Sequence, residues 1–221
     1  MKNVILIAPP AAGKGTQSKL ISEKYNIPHI STGDLLRDSV NSNSELGKVI
    51  KAKMDNGELV TDDIVLELLK KRITEQDCLN GYILDGFPRN LSQAESYLEI
   101  IKDLNYPLGD VIYLQISEDL ARKRIVGRLS CPKCGAVYND QFEDSKPLHF
   151  GTCDKCNSSL TKRNDDNDAT FTERLKVYNE QTYPLLNLFR SMGVLFTIGS
   201  GISKERTFEE IEKILNRGNN D

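Results

Sequence analysis

Residues Val4 to Ile7 are four aliphatic side chains in a row, followed by Ala8-Pro9-Pro10-Ala11-Ala12 and then Gly13-Lys14-Gly15-Thr16. A short unbroken apolar run bounded by turn residues is the pattern of a strand buried on both faces. The segment Thr16 to Tyr25 has helical spacing, with Leu20 and Ile21 expected inward and Gln17, Lys19, Glu23 and Lys24 outward. Strand, small-residue loop and helix together are the setting of a phosphate-binding loop. Successive backbone N–H groups and the start of the helix near Lys14 make a concave anion site, and Lys14 adds positive charge near terminal phosphates. Against the general pattern G-x-x-x-x-G-K-[ST], the loop departs at Ala8, in place of the first glycine, and at Gly15, inserted between Lys14 and Thr16.

The rest of the chain repeats the alternation. Ser31-Thr32-Gly33-Asp34 opens a helix that Asp34 is expected to cap, and Ser44 caps a second one ending at Asn56-Gly57. Thr61 is expected to cap a third, with Asp62 and Asp63 at its positive end. Gly81 to Asp85 reads as a buried strand ending in a carboxylate, the usual place from which to steady a magnesium ion or its water shell. Ser92-Gln93-Ala94-Glu95 reads as a capping box that sets Gln93 beside Arg89. Val111 to Gln115 is a further strand, and the helix opened by Ser117 is expected to run through Arg122, Arg124 and Arg128. Val194 to Ile198 gives a last strand, followed by a closing helix. Strands alternating with helices imply a parallel sheet covered on both faces. His29 has no carboxylate or nucleophile near it in sequence, so it is left outside the site.

A chain of 221 residues with 28% charged side chains is long enough to bury a full core. Its net charge of −3 argues against a general nucleic-acid or membrane-surface binder. No apolar run reaches the roughly 18 residues of a membrane span, so a cytoplasmic location is expected. In that reducing setting five cysteines read as thiols or metal ligands. Cys131-x-x-Cys134 and Cys153-x-x-Cys156 have the spacing of a closed, four-thiolate zinc site that holds a small β-rich lobe and activates no water. The acidic residues Asp140, Glu143 and Asp144 between the pairs argue against a nucleic-acid ribbon, and Cys78 is left as a free, partly buried thiol.

Gly13 to Thr16, Ser31-Thr-Gly-Asp-Leu-Leu-Arg37, Asp85-Gly-Phe-Pro-Arg89 with Gln93, and Arg163-x-Asp165-Asp166 followed by Arg174 stand in one fixed order. With the cysteine insert, they make the chain resemble the adenylate kinases of the bacterial long-lid type with a zinc-bearing lid. The resemblance implies a phosphate-loop nucleoside monophosphate kinase fold, with a parallel five-stranded sheet flanked by helices. The core domain would take residues 1–30, 61–126 and 165–221, a helical monophosphate-binding domain 31–60 and the zinc lid 127–164. It implies Mg²⁺-dependent, reversible phosphoryl transfer from ATP to AMP giving two ADP, and a monomer.

The resemblance also assigns residues. Ala11, Ala12, Gly13, Lys14, Gly15 and Thr16 would hold the ATP phosphates, with Arg124, Arg128, Val137, Tyr138 and Ile202 bordering ATP. Thr32, Arg37, Glu58, Leu59, Val60, Gly86, Phe87, Pro88, Arg89 and Gln93 would bind AMP, the Gln93 amide both donating to and accepting from the adenine edge. Arg163 and Arg174 would clamp the transferring group and contact AMP, with Asp165 and Asp166 orienting those arginines. Lys14, Asp85, Arg89, Arg128, Arg163 and Arg174 would be the catalytic set. A phosphate oxygen is already an anion, so attack needs no base. It needs positive charge, alignment and a dry site.

Similar enzymes carry glycine at the positions of Ala8 and Ala11, and alanine costs roughly 1 kcal/mol or more wherever φ must be positive. That departure leaves open a nucleotide-binding protein with weak turnover. A kinase for UMP or CMP is the other alternative, which Gln93 and the full lid disfavour.

Overall fold

The computed structural model describes residues 2–41, 44–55, 60–162, 166–201 and 203–217. Its centre is a five-stranded sheet of β1 (Val4–Ile7), β2 (His29–Ser31), β3 (Ile83–Asp85), β4 (Asp110–Gln115) and β7 (Leu195–Gly199) in the order β2-β3-β1-β4-β7. All four strand pairings are parallel, with Leu6 opposite Asp85 on one side and Ile112 on the other. Each strand therefore ends on the same edge of the sheet, and in open α/β sheets that carboxyl edge is where ligands bind.

Side chains alternate faces along a strand, and β1 shows this. Ile5 and Ile7 join Leu69, Tyr97, Leu185 and Phe189 in one core layer, while Val4 and Leu6 join Ile21, Ile211 and Leu215 in the other. The first layer is closed by α4 (Asp62–Ile73), α5 (Leu91–Asp103), α7 (Asp168–Val177) and α8 (Leu185–Ser191), and the second by α1 (Lys14–Tyr25) and α9 (Lys204–Leu215). Fully burying each large aliphatic side chain contributes roughly 1.5–3 kcal/mol. The hydroxyls of the buried Tyr82 and Tyr97 pair with each other at 2.8 Å, so neither is left unsatisfied.

Two excursions leave the sheet. One carries α2 (Thr32–Asn41) and α3 (Glu45–Asp55), which pack on each other. The other follows α6 (Glu118–Val126) and contains an antiparallel pair, β5 (Arg128–Ser130) with β6 (Val137–Asn139), extended by a bridge from Ser130 to Thr161.

Several local expectations are corrected. The first helix begins at Lys14, and Gln17 faces inward: it is buried against α9 and its Nε2 donates to the Lys204 carbonyl at 2.9 Å. Helix α2 begins one residue after Ser31, whose hydroxyl accepts from the Asp34 N–H, so Ser31 and not Asp34 is the cap. Asn90 caps α5 through the Gln93 N–H at 2.8 Å, so the Ser92 capping box does not form. Thr61 stands at the start of α4 without a side-chain capping bond. Helix α6 stops at Val126, which moves Arg128 off the helix and onto β5. Cys78 is fully buried, and burial pushes its thiol up to about 11.

Candidate active site

The chain leaves β1 at Ala8 and turns back on itself before α1. Ala11 has φ 62° and Gly13 φ 91°, both in the left-handed region, so one of the two missing glycines does fall where glycine is the natural residue and the other, Ala8, does not. Lys14 Nζ crosses under this turn and donates to the Ala8 carbonyl at 2.9 Å. Beside it, a Cβ placed on Gly15 would stand 3.8 Å from Asp85 Oδ2, which puts the carboxylate ending β3 against the first turn of α1.

Asp85 has a partner that its sequence neighbourhood does not show. His29 Nε2 lies 3.2 Å from Asp85 Oδ2 because β2 pairs with β3, with His29 opposite Ile83 and Ser31 opposite Asp85. The reading that set His29 apart from any carboxylate is therefore wrong. Burial pushes the Asp85 carboxyl up, but the hydrogen bond from His29 and the charges of Lys14 and Arg89 outweigh it and hold the group below the usual carboxylate range.

Three cations converge here. Burial draws the Lys14 ammonium below its usual value, Asp85 opposes this, and Arg89 and Arg174 add to it. The Arg89 guanidinium is drawn down by burial and by Arg174, against Asp85. Like charges held together are costly unless an anion joins them, and an anion is what the backbone N–H groups of the loop beside them favour.

Arg89 is fixed at three points. Its Nε donates to the Gly86 carbonyl at 2.8 Å, its N–H donates to Gln93 Oε1 at 2.8 Å, and its carbonyl accepts from Thr182 Oγ1 at 2.8 Å. Thr32 Oγ1 also donates to the Gly86 carbonyl, at 3.2 Å, so Gly86 (φ 74°) ties the start of α2 to Arg89. The Phe87–Pro88 bond is cis, and Phe87 is buried edge-on against Tyr97 with ring centres 5.8 Å apart. Val60 packs at the margin of the same core layer. Gln93 Nε2 donates to Asp62 Oδ1 at 2.6 Å.

Other expected residues stand apart from this cluster. Arg37 is exposed on α2 and pairs with Asp34 one turn earlier. Arg124 is partly buried, which draws its guanidinium down, and its backbone carbonyl accepts from Asn139 Nδ2 at 2.8 Å. Arg128 is gripped by Asp166, so the carboxylate expected to orient Arg163 and Arg174 instead holds a different arginine. Val137 is exposed, while the Tyr138 hydroxyl accepts from the Asp154 N–H at 2.9 Å and lies 3.5 Å from Cys153 Sγ, facing the cysteines. Glu58, Leu59, Arg163, Asp165 and Ile202 lie outside the described residues.

The four cysteine sulfurs all lie within 4.8 Å of one another, with Cys131 to Cys156 and Cys134 to Cys153 at 3.5 Å. Zn–S bonds of about 2.3 Å make a tetrahedron with edges of about 3.8 Å, so the thiol set fits zinc. The two Cys-x-x-Cys turns are built alike. Cys131 N–H donates to Ala136 and Gly135 N–H back to Cys131, and Cys153 N–H donates to Ser158 and Asn157 N–H back to Cys153, with Gly135 and Asn157 both at positive φ.

A parallel sheet ordered β2-β3-β1-β4-β7, with a phosphate-shaped loop after its middle strand and lysine and arginines gathered over it, defines a phosphate-loop nucleotide-binding protein. The model of the adenylate kinase family matches residues 6–194. The chain is 44% identical over 214 residues to an adenylate kinase of Clostridium botulinum (strain Loch Maree), covering 97% of this chain and 98% of that one. It is 45% identical over 215 residues to an adenylate kinase of Archaeoglobus fulgidus, with the same coverage, and 43% identical over 213 residues to one of Syntrophomonas wolfei, covering 96% and 98%. The chain belongs to the adenylate kinase family.

Proposed function

We propose that the recess between the loop Ala11–Thr16 and Arg89 is the transfer centre of an ATP:AMP phosphotransferase, and that Lys14, Arg89, Arg128, Arg163 and Arg174 carry its charge. The reaction is the reversible passage of the terminal phosphoryl group of MgATP to AMP, giving two ADP and balancing the adenine nucleotide pool. The meeting of Lys14 and Arg89 with Asp85 at the carboxyl edge of β1 and β3, with Arg174 beside both cations, is the observation that carries this assignment.

The loop amides and Lys14 bind the ATP phosphates, while Arg89, pinned through Gly86 and Gln93, faces the acceptor side. With Arg37, Arg124, Arg128, Arg163 and Arg174 these make seven positive charges for the two nucleotides. No general base is required, because the attacking atom is a phosphate oxygen. What accelerates transfer is in-line positioning and charge stabilisation in a site closed to water.

Asp85 is a partly buried acceptor held in its ionised form beside Gly15, which suits it to hold the water shell of the magnesium that arrives with ATP. That ion supplies charge neutralisation across the phosphates. Thr32, Glu58 to Val60, Gly86 to Arg89 and Gln93 form the AMP side, and Ala11 to Thr16, Arg124, Val137, Tyr138 and Ile202 the ATP side. Residues 31–60 act as the AMP-binding domain and 127–164 as a lid stapled by structural zinc on Cys131, Cys134, Cys153 and Cys156, over a core of 1–30, 61–126 and 165–221. A monomer in the cytoplasm completes the reading. Four thiols arranged for metal fit a reducing compartment; among the described residues no helix is long and apolar enough to cross a membrane.

A coupled assay of ADP formation with AMP, CMP, UMP and GMP as acceptors tests this. Turnover with AMP far above the other three is the expected result, and turnover led by a pyrimidine monophosphate rejects it.

A further inference from the structure

Gln93 is held at both ends of its amide. Oε1 accepts from the Arg89 backbone N–H at 2.8 Å, and Nε2 donates to Asp62 Oδ1 at 2.6 Å. Asp62 is fixed in turn, since its other oxygen accepts from Asn90 Nδ2 at 3.2 Å and it sits in the first turn of α4. Gln93 is itself buried.

These contacts leave the amide no choice of orientation. A backbone N–H can only donate and an ionised carboxylate can only accept. Turning the amide over would set two donors against each other at Arg89 and two acceptors at Asp62, and a buried polar group facing the wrong partner costs roughly 1–3 kcal/mol. Each end of the amide keeps one further valence, a lone pair on Oε1 and one N–H on Nε2. Gln93 therefore offers an acceptor and a donor whose relative places are set by the protein before any base arrives.

Adenine presents an N6 amino donor beside the N1 acceptor. Hypoxanthine and guanine present the reverse, an O6 acceptor beside an N1–H donor. An amide free to turn over would serve either pattern equally well.

We propose that Asp62 is a specificity-positioning residue: by locking the Gln93 amide it commits the acceptor site to 6-aminopurine monophosphates and excludes 6-oxopurines. This rests on the reading of Gln93 as the residue that faces the acceptor base. Asp62 touches no substrate atom; it acts through Gln93. One lock, the Arg89 N–H, is backbone and cannot be removed by substitution, which makes Asp62 the adjustable half of the device.

Steady-state kcat/KM for AMP and for IMP, with ATP as donor, tests it. IMP differs from AMP only at position 6 and in the N1 proton, so the AMP/IMP ratio isolates base reading from phosphate binding. Asp62→Ala is expected to narrow that ratio by about tenfold or more, with IMP gaining in absolute terms. Asp62→Asn keeps the volume but has one carbonyl for two donors, and is expected to fall between wild type and Asp62→Ala. Thermal unfolding of both variants reports the share of α4 stability that Asp62 carries and does not enter the ratio. Gln93→Ala provides the separating control. If Gln93→Ala collapses the ratio while both Asp62 variants leave it unchanged, the lock is overturned and Gln93 stands as base reader. If Gln93→Ala leaves the ratio unchanged, the base-reading role fails and the lock falls with it.

Discussion

The Arg128 guanidinium is gripped at two points by Asp166, whose carboxylate has no exposed surface: Nε lies 2.7 Å from Oδ2, and Nη2 reaches Oδ1. The contact joins the first residue of β5 to the chain just ahead of α7, closing the base of the excursion between them. Breaking a buried ion pair from one side is far more damaging than removing both partners, because the survivor stays buried and uncompensated. Arg128→Ala is therefore expected to destabilise the protein by roughly 3–5 kcal/mol, and Arg128→Ala with Asp166→Asn to recover part of that loss. Denaturant midpoints for the two singles and the double give the coupling directly. Simple additivity would mean that the grip contributes nothing.

Ala11 and Ala8 occupy the two positions where glycine was the expected residue, yet only Ala11 has positive φ. Ala11→Gly relieves left-handed strain of roughly 1–2 kcal/mol and gives back about half of it as unfolded-state freedom, for a net gain of about 0.5–1 kcal/mol. Ala8→Gly gains no such relief and loses a buried methyl group, so it should destabilise by about 1 kcal/mol. Opposite shifts in melting temperature for the two variants are the expected outcome, and two shifts of the same sign would count against the strain at Ala11.

The features legible in the sequence were those whose chemistry lies within a few consecutive residues. The loop to Thr16 and the two Cys-x-x-Cys turns each carry their own geometry, and the aliphatic runs at Val4 and Val111 marked strands that the sheet confirms. What stayed hidden were contacts set by register and packing. His29 meets Asp85 across 56 residues, Asp62 meets Gln93 across 31 and Arg128 meets Asp166 across 38. His29 was set outside the site and Asp62 was read only as a charge at a helix start, yet pairing of β2 with β3 and packing of α4 on α5 bring them to Asp85 and Gln93, while Asp166, expected to orient Arg163 and Arg174, meets Arg128 at the base of the excursion instead. Caps failed for another reason. Ser31 and Asn90 were preferred over Asp34 and Ser92 because the backbone turns into the helix two or three residues earlier than polarity alone suggests.

Asp85 gives a pH dependence with a definite sign. Its folded carboxyl sits below the ordinary value of 3.8, so it contributes stability that is present above that value and lost as pH falls through the lower folded one. The His29 hydrogen bond is the foremost of the interactions holding it down. His29→Ala should therefore raise the Asp85 titration toward the ordinary value and shrink the stability lost in acid, whereas Asp85→Asn should remove this contribution altogether. Carbon-detected NMR of the Asp85 carboxyl, followed alongside urea midpoints through the acid range, reads both. A titration that stays put in His29→Ala would show that Lys14 and Arg89 suffice.

The cysteine lobe has little else to hold it. Its buried apolar residues are Cys131, Ala136 and Cys153, with Tyr138 and Leu160 packed at the margin, while Leu148 and Phe150 are left exposed at 84% and 90%. A core that small offsets little of the ordering of its chain, and the tetrahedral metal proposed for its four thiols would supply the difference. Removing the metal with a chelator, or one ligand by Cys153→Ser, is expected to release close to one zinc per chain and to open the lobe. Hydrogen exchange should rise at Leu129, Ser130 and Val137 to Asn139, whose pairing depends on the staple, and stay slow in β1 and β3. ATP turnover should fall with it, because Arg128 anchors the same strand that the metal orders. Lobe amides that remain protected once zinc is stripped would mean that the β5–β6 pair stands without it.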